Sequence, residues 1–299
     1  MDKPVQILID ADSIYFRIAM ASYKQKDIRN NIRKTMLDIE NKCVSFEDFE
    51  MRIAIKGNGN FRHDIYDQYK ATRKRELSED ERKALAYGHT HLKEKYNAVM
   101  ANDMEADDLV AIWAWECIQN DMPYAVVHID KDLNMIPGSH YNFVKDETYF
   151  VDYDQAHYNF MTQLLIGDSA DNIPGIKGIG PKKAEKLLKN IPFDKRWTVV
   201  NDQWSDKKQR DISARLLWMA TSFDEANCAN ESMLGRLEAK TLEEFWAMEV
   251  ADEEPTQSET SECEPDVREE GEVNLQDPSV SGVSERDSGR DHGSEVGVC

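Results

Sequence analysis

An α/β fold with a mainly parallel sheet flanked by helices is what this sequence predicts, on three observations. Short apolar runs alternate with helix-period segments through the first half of the 299-residue chain. Two of those runs end in an acid, Asp10 and Asp130, and a parallel sheet gathers its ligands beyond the carboxyl ends of its strands. Past residue 153 the strands stop and the pattern becomes helical.

Taken in order, Val5–Asp10 reads as a short buried strand and Ser13–Ala21 as a helix. Ile28–Lys42 has a helical period, and Met51–Lys56 is a second strand closed by the turn residues Gly57-Asn-Gly59-Asn. Phe61–Lys95 is polar and has no strong apolar stripe. Its basic cluster is Tyr69-Lys70-Ala-Thr-Arg73-Lys74-Arg75, and Ser78-Glu-Asp-Glu81 is a capping box that starts a helix running towards Tyr96. The segment 61–96 reads either as an arch standing away from the core or as a solvated surface helix. Asn97–Met100 is a weak third strand, Met104–Ile118 a helix and Tyr124–Asp130 a fourth strand. Asn142–Lys145 and Thr148–Val151 are expected to form a hairpin around Asp146-Glu147. From Asp154 to about Phe223, and less distinctly to Met248, the chain reads as helical.

Three regions follow: an α/β core over 1–152, a helical region over 153–250 and an acidic tail over 251–299. The tail holds fifteen Asp and Glu against three Arg, so it carries −12 of the formal net charge of −20. It is rich in Ser and Gly and is expected to be disordered. The total charge therefore does not exclude a nucleic-acid partner. No apolar run approaches the roughly 18 residues of a membrane span, and Met1-Asp-Lys-Pro-Val lacks the apolar middle of a signal peptide. Cys43, Cys117, Cys228, Cys263 and Cys299 have no metal-ligand spacing. A cytoplasmic protein in a reducing compartment, with no membrane partner, is the expectation.

Chemistry concentrates in two sets of residues. Glu105, Asp107 and Asp108 fall on the first turn of one helix, and Asp168 and Asp171 sit three apart on a helical or turn face. One or two such acids are ordinary helix caps. With Asp10, Asp130 and Asp132 they make eight, which would repel one another unless cations neutralised them. Oxygen-only ligands favour Mg²⁺ or Mn²⁺, and no Cys/His cluster suggests zinc. Just beyond Asp171, the run Gly175-Ile-Lys177-Gly178-Ile-Gly180-Pro-Lys182-Lys183 turns tightly into a helix N-terminus, an arrangement suited to phosphate. Acids beside a phosphate grip suggest metal ions working on a nucleic-acid backbone.

These segments, in this order over about residues 5–190, resemble the 5′-nuclease family of phage 5′→3′ exonucleases, flap endonucleases and the 5′-nuclease domain of bacterial DNA polymerase. The matching pieces are Leu8-Ile-Asp10, Asn60-Phe-Arg62 with Tyr69-Lys70-Ala-Thr-Arg73, Glu105-Ala-Asp-Asp108, Ile129-Asp-Lys-Asp132, and Gly167-Asp-Ser-Ala-Asp171 through Gly180. The resemblance implies a PIN-like core with a helical arch and a C-terminal helix-hairpin-helix, and metal-assisted hydrolysis of DNA at 5′ ends, flaps or junctions. It implies a first metal cluster at Asp10, Glu105, Asp107 and Asp108, and a second at Asp130, Asp132, Asp168 and Asp171. Lys70, Arg73 and Arg17 match its active-site cations. Backbone carbonyls at Leu165, Ile166, Pro174, Ile176 and Ile179 match its K⁺ site, and Gly175, Lys177, Gly178, Gly180, Lys182 and Lys183 its grip on DNA. A phage setting in a host cytoplasm, replication proteins as partners and a monomeric state are implied with it. One departure stands out, because the family's acid after the second strand falls here on Lys56-Gly57-Asn58. That departure leaves open a non-catalytic binder of branched DNA, and a related RNase is a third reading.

Overall fold

A computed structural model describes residues 3–43, 46, 48–73 and 75–246; the tail expected to be disordered lies outside them. The first half alternates as its apolar periods require. The elements are β1 (Val5–Asp10), α1 (Asp12–Ala21), α2 (Gln25–Cys43), β2 (Phe49–Lys56), α3 (Arg62–Ile65), α4 (Glu79–Tyr96), β3 (Val99–Ala101), α5 (Ala106–Gln119), β4 (Tyr124–His128), β5 (Gly138–Asn142) and β6 (Glu147–Val151). Helices α6 (Tyr153–Ile166), α7 (Pro181–Leu188), α8 (Phe193–Gln203) and α9 (Lys207–Leu217) follow, then the short α10 (Phe223–Asn227), α11 (Met233–Arg236) and α12 (Leu242–Trp246).

The strands form one sheet in the order β3-β2-β1-β4-β5-β6. All neighbours are parallel except β5 and β6. β1 lies centrally, and its side chains alternate between two buried layers. Ile7 and Ile9 pack with Ile14, Ile28 and Ile32 of α1 and α2, whereas Leu8 packs with Val110 and Ile112 of α5. The chain reverses its direction of winding between β1 and β4. At such a switch point the loops at the strands' carboxyl ends part and leave a crevice, and Asp10 and Asp130 stand there. A further core cluster around Phe160, Leu164, Trp218, Phe245 and Trp246 joins the helical half to Tyr69, Trp115 and Met135 of the α/β half.

Two expectations change. The hairpin falls earlier, with Gly138–Asn142 pairing antiparallel to Glu147–Val151. Phe143 and Val144 look like strand residues, but the Asn142 side chain accepts from the amides of Val144 (3.1 Å) and Lys145 (3.0 Å) and bends them into the turn. Within 61–96, read as either an arch or a solvated surface helix, α4 packs one face against the core. Ser78 and Glu81 form the expected capping box, while Ala84, Gly88 and Leu92 are buried. The stripe was hard to see because it is made largely of small residues. A Cβ on Gly88 would come within 3.1 Å of the Tyr15 Cβ, so α4 lies close against α1.

Candidate active site

The carboxyl end of β1 supplies the deepest acid. Asp10 is 6 % exposed, and burial, then Asp12 and Asp130, push its carboxyl up to about 7. Its Oδ1 accepts the Asp12 amide at 3.1 Å. Asp12, which the sequence reading passed over, accepts the Lys56 amide at 2.7 Å and is itself raised by burial. Its carboxylate thus lies at the end of β2, where the resembled family carries an acid and this chain has Lys56-Gly57. Restoring that acid by Gly57→Asp is blocked by the neighbouring strand. A Cβ there would stand 2.2 Å from the Ala101 carbonyl oxygen of β3.

Helix α5 presents Glu105 at its N-cap, with Asp107 and Asp108 in its first turn. Glu105 accepts from Asn60 Nδ2 (2.9 Å), Tyr69 Oη (3.0 Å) and Lys70 Nζ. Burial works against its charge, but Arg62 and Lys70 outweigh it and hold the carboxyl below its usual range. Asp107 is in the opposite state. Burial, with Glu105 and Asp108 beside it, holds it well above the carboxylate range.

Asp108, expected among the metal ligands, is committed elsewhere. It is wholly buried, and the Arg62 guanidinium donates to both its oxygens, at 2.5 and 2.8 Å. The amides of Glu105 (3.0 Å) and Ala220 (3.2 Å) also donate to it. Arg62 in turn donates to the carbonyls of Leu216 (2.8 Å) and Trp218 (2.9 Å), so the pair fastens α3 and α5 to the helical half. The sequence showed Arg62 only as part of a matching pattern. Its burial and its carbonyl partners, more than a hundred residues away, were not readable.

The second acid group lies beyond β4. Asp130 Oδ1 accepts the Asp132 amide at 3.0 Å, and the Asp130 carbonyl oxygen lies 2.5 Å from His128 Nδ1. Burial, then Asp130, raises the Asp132 carboxyl, which accepts from Gln163 of α6 at 3.0 Å. Lys131 Nζ stands 3.2 Å from Asp132 and 3.5 Å from Asp168. Asp168 and Asp171 sit in a turn, not on a helix. Asp168 pairs with Ile173 as an isolated bridge, and its Oδ1 accepts the amides of Ala170 (2.7 Å) and Asp171 (3.3 Å).

The cluster Tyr69-Lys70-Arg73 spans the two groups. Lys70 Nζ contacts Glu105 and lies 3.5 Å from Asp171 Oδ2, the Tyr69 hydroxyl lies 3.2 Å from Asp171, and Arg73 pairs with Asp171. The Lys70 amide also donates to the Asp171 carbonyl at 2.8 Å, which accompanies a left-handed φ of 57° at this non-glycine residue. The sequence placed Tyr69 in a motif without a role; here it donates across the gap. Arg17 is exposed on α1 and, among the described residues, forms no ion pair.

The glycine run forms the expected turn. Gly167 has φ 73°, and a Cβ on it would stand 2.3 Å from the Gly175 nitrogen, so the strands of the turn touch backbone to backbone. Gly178 is left-handed at 83°. Gly180 caps α7 with Pro181 in its first turn, and Lys177, Lys182 and Lys183 are exposed. Of the five carbonyls considered for K⁺, Leu165 accepts the Ile176 amide, Pro174 the Ser213 hydroxyl and Ile176 the Ile179 amide. The Ile166 carbonyl oxygen lies where a Cβ on Gly175 would be, only 2.0 Å away.

Among the described residues, no three Asp, Glu, His or Cys side chains converge as a ready ligand set, and lysine and arginine hold several of the acid oxygens in ion pairs. The chemistry of the donors nonetheless fits a hard divalent ion. Every candidate ligand is a carboxylate, and burial with neighbouring acids disfavours the ionised forms of Asp10 and the half-buried Asp107, which a divalent charge would favour.

Residues 5–161 match the family 5′-3′ exonuclease, N-terminal resolvase-like domain. Flap endonuclease Xni of Shewanella woodyi is 28% identical over 205 residues, covering 61% of this chain and 76% of that protein. The 5′-3′ exonuclease of Mycoplasma pneumoniae is 28% identical over 213 residues, covering 61% of this chain and 71% of that one. The bacteriophage T5 flap endonuclease, solved in complex with DNA and metal ions, has the same fold, with a TM-score of 0.56 at 16% identity over 81% of this chain and 99% of that one.

Proposed function

We propose that this chain, which belongs to the 5′-3′ exonuclease family, hydrolyses DNA phosphodiester bonds from 5′ ends or at flaps with the help of divalent metal ions. One observation carries the reading. Glu105 from α5 and Asp171 from the turn after α6 face each other across Tyr69 and Lys70, so acids from distant parts of the chain border one crevice. Asp10, Glu105 and Asp107 would hold one ion, and Asp130, Asp132, Asp168 and Asp171 a second. Bound there, Mg²⁺ or Mn²⁺ would supply a water of lowered pKa and neutralise the phosphate under attack. Asp108 acts instead as a positioning residue, fixing the first turn of α5 through Arg62.

Lys70 and Arg73, once released from their acid partners, would neutralise charge growing on the phosphoryl oxygens. The exposed Lys177, Lys182 and Lys183, with the backbone of Gly175, Gly178 and Gly180, would hold a duplex strand by its phosphates and so position it without reading sequence. A K⁺ ion on the remaining carbonyl lone pairs of the turn would make duplex affinity greater in KCl than in NaCl of equal strength.

A non-catalytic binder of branched DNA is favoured by one observation, the absence among the described residues of three converging acids. A 5′-labelled flap, a blunt duplex and an RNA of the same sequence, each incubated with and without Mg²⁺, separate the readings. Mg²⁺-dependent release of short 5′ products from DNA supports the nuclease. Tight binding of the flap with no cleavage in Mg²⁺ or Mn²⁺ supports the binder, and cleavage confined to RNA overturns both.

A further inference from the structure

Two lysines stand in matching places. Lys70 Nζ joins Glu105, at the N-terminus of α5, to Asp171 of the turn after α6. Lys131 Nζ joins Asp132, beyond β4, to Asp168 of that same turn. In each case one ammonium bridges a carboxylate borne by the α/β half and one borne by the turn. Neither bridge is a product of chain proximity alone, since Lys70 and Asp171 are a hundred residues apart in the chain and Lys131 and Asp168 nearly forty. An ammonium so placed meets the same electrostatic demand as a divalent ion, with half the charge and no fixed coordination geometry.

We propose that Lys70 and Lys131 are resident counter-ions of the acid crevice, and that divalent ions must displace them to bind. The inference rests on the metal reading above. It accounts for two features together: Glu105, Asp132, Asp168 and Asp171 each lie within ion-pair distance of a lysine, and among the described residues no three acids converge. It also reconciles two demands on Lys70. Tied to Glu105 and Asp171, its ammonium cannot serve a phosphate; once exchanged for a metal ion, it can.

The consequence has a definite sign. Removing a competing cation tightens metal binding, whereas a lysine that acts only on substrate leaves metal affinity unchanged. The Lys131 side chain is 72% exposed, so its pairs are weak and the gain should be about three-fold. Lys70 is 20% exposed, and its removal should tighten binding by more than that. Lys145 supplies the control for charge alone. It lines the same pocket as Asp130 and Lys131, and its ion pair is with Glu147 rather than with a crevice acid.

The test is Mn²⁺ titration of the full chain by calorimetry, comparing wild type with Lys70→Ala, Lys131→Ala and Lys145→Ala. The expected result is a lower Mn²⁺ Kd for the first two variants and an unchanged one for Lys145→Ala. The exposed Lys131 site keeps the fold, so its variant carries the test even if Lys70→Ala does not fold. An unchanged or higher Kd for Lys131→Ala overturns the inference, as does an equal gain in Lys145→Ala, which would mark a general charge effect. Wild type that takes up no Mn²⁺ overturns the metal reading itself, a result distinct from wild-type binding that the lysine variants fail to alter.

Discussion

Asp107 and Asp108 are neighbours in the chain and are treated in opposite ways by the fold. Asp108 is enclosed, with a guanidinium on both oxygens and two amides completing its shell. Asp107, among the described residues, accepts only the Asp108 amide at 3.0 Å and is pressed by Glu105 and Asp108. Both are acids of one helical turn. Asp108 is fully buried and Asp107 half-buried, but the sharper difference between them is fixed counter-charge. A paired buried carboxylate holds elements together and is closed to ligands, whereas an unpaired one weakens the fold and is open to whatever neutralises it.

The largest expected effect lies on the unpaired side. Asp10→Asn with Asp107→Asn should slow Mg²⁺-dependent cleavage on the order of a thousand-fold, because several kcal/mol of charge stabilisation are lost at a decade per 1.36 kcal/mol. Duplex binding should persist, and single-turnover cleavage beside a binding titration checks both. On the paired side, Arg62→Ala should cost about 3–5 kcal/mol of stability by stranding Asp108 in the core. Urea unfolding reads this directly. A loss below about 1 kcal/mol would mean that water reaches Asp108 and that the pairing is incidental.

How much of this contrast was legible follows from where each signal lies. The period of the apolar residues placed the central strands to within a residue or two, since Ile7, Leu8 and Ile9 must be buried wherever the sheet goes. The order of the strands, with β1 between β2 and β4, depends on pairings between distant segments and was not readable. The acids were visible as acids. That Asp108 belongs to Arg62 depends on the Leu216 and Trp218 carbonyls fixing the guanidinium from the far half of the chain. Asp12 was missed for a different reason, because it lies one residue before the expected start of the helix and an acid there resembles an ordinary helix cap.

A smaller effect follows from pH. Asp10 titrates near 7 in the fold against about 3.8 when exposed, so between those values the native state binds the extra proton. Stability without metal should therefore fall as pH rises from about 4 to 7, by on the order of 4 kcal/mol at most from this group. Asp107 acts in the same direction, whereas Glu105, held low, costs stability only as pH drops below its ordinary range. Mg²⁺ should raise Tm more at pH 7.5 than at pH 5. Equal gains at both values would remove Asp10 and Asp107 from the metal site. Smallest of all, Lys182→Ala with Lys183→Ala should weaken duplex binding and reduce the slope of log K against log salt by about 2, while leaving stability unchanged.

The most direct measurement is urea unfolding of metal-free wild type, Asp107→Asn and Asp108→Asn at pH 7.5, each repeated with Mn²⁺. Asp107→Asn should be more stable than wild type without metal and should gain little from Mn²⁺. Asp108→Asn should be less stable than wild type without metal. It should still gain from Mn²⁺, since the remaining acids can bind the ion. If the two variants shift stability in the same direction, or if Asp108→Asn alone abolishes the Mn²⁺ gain, the division between a structural and a functional acid is contradicted.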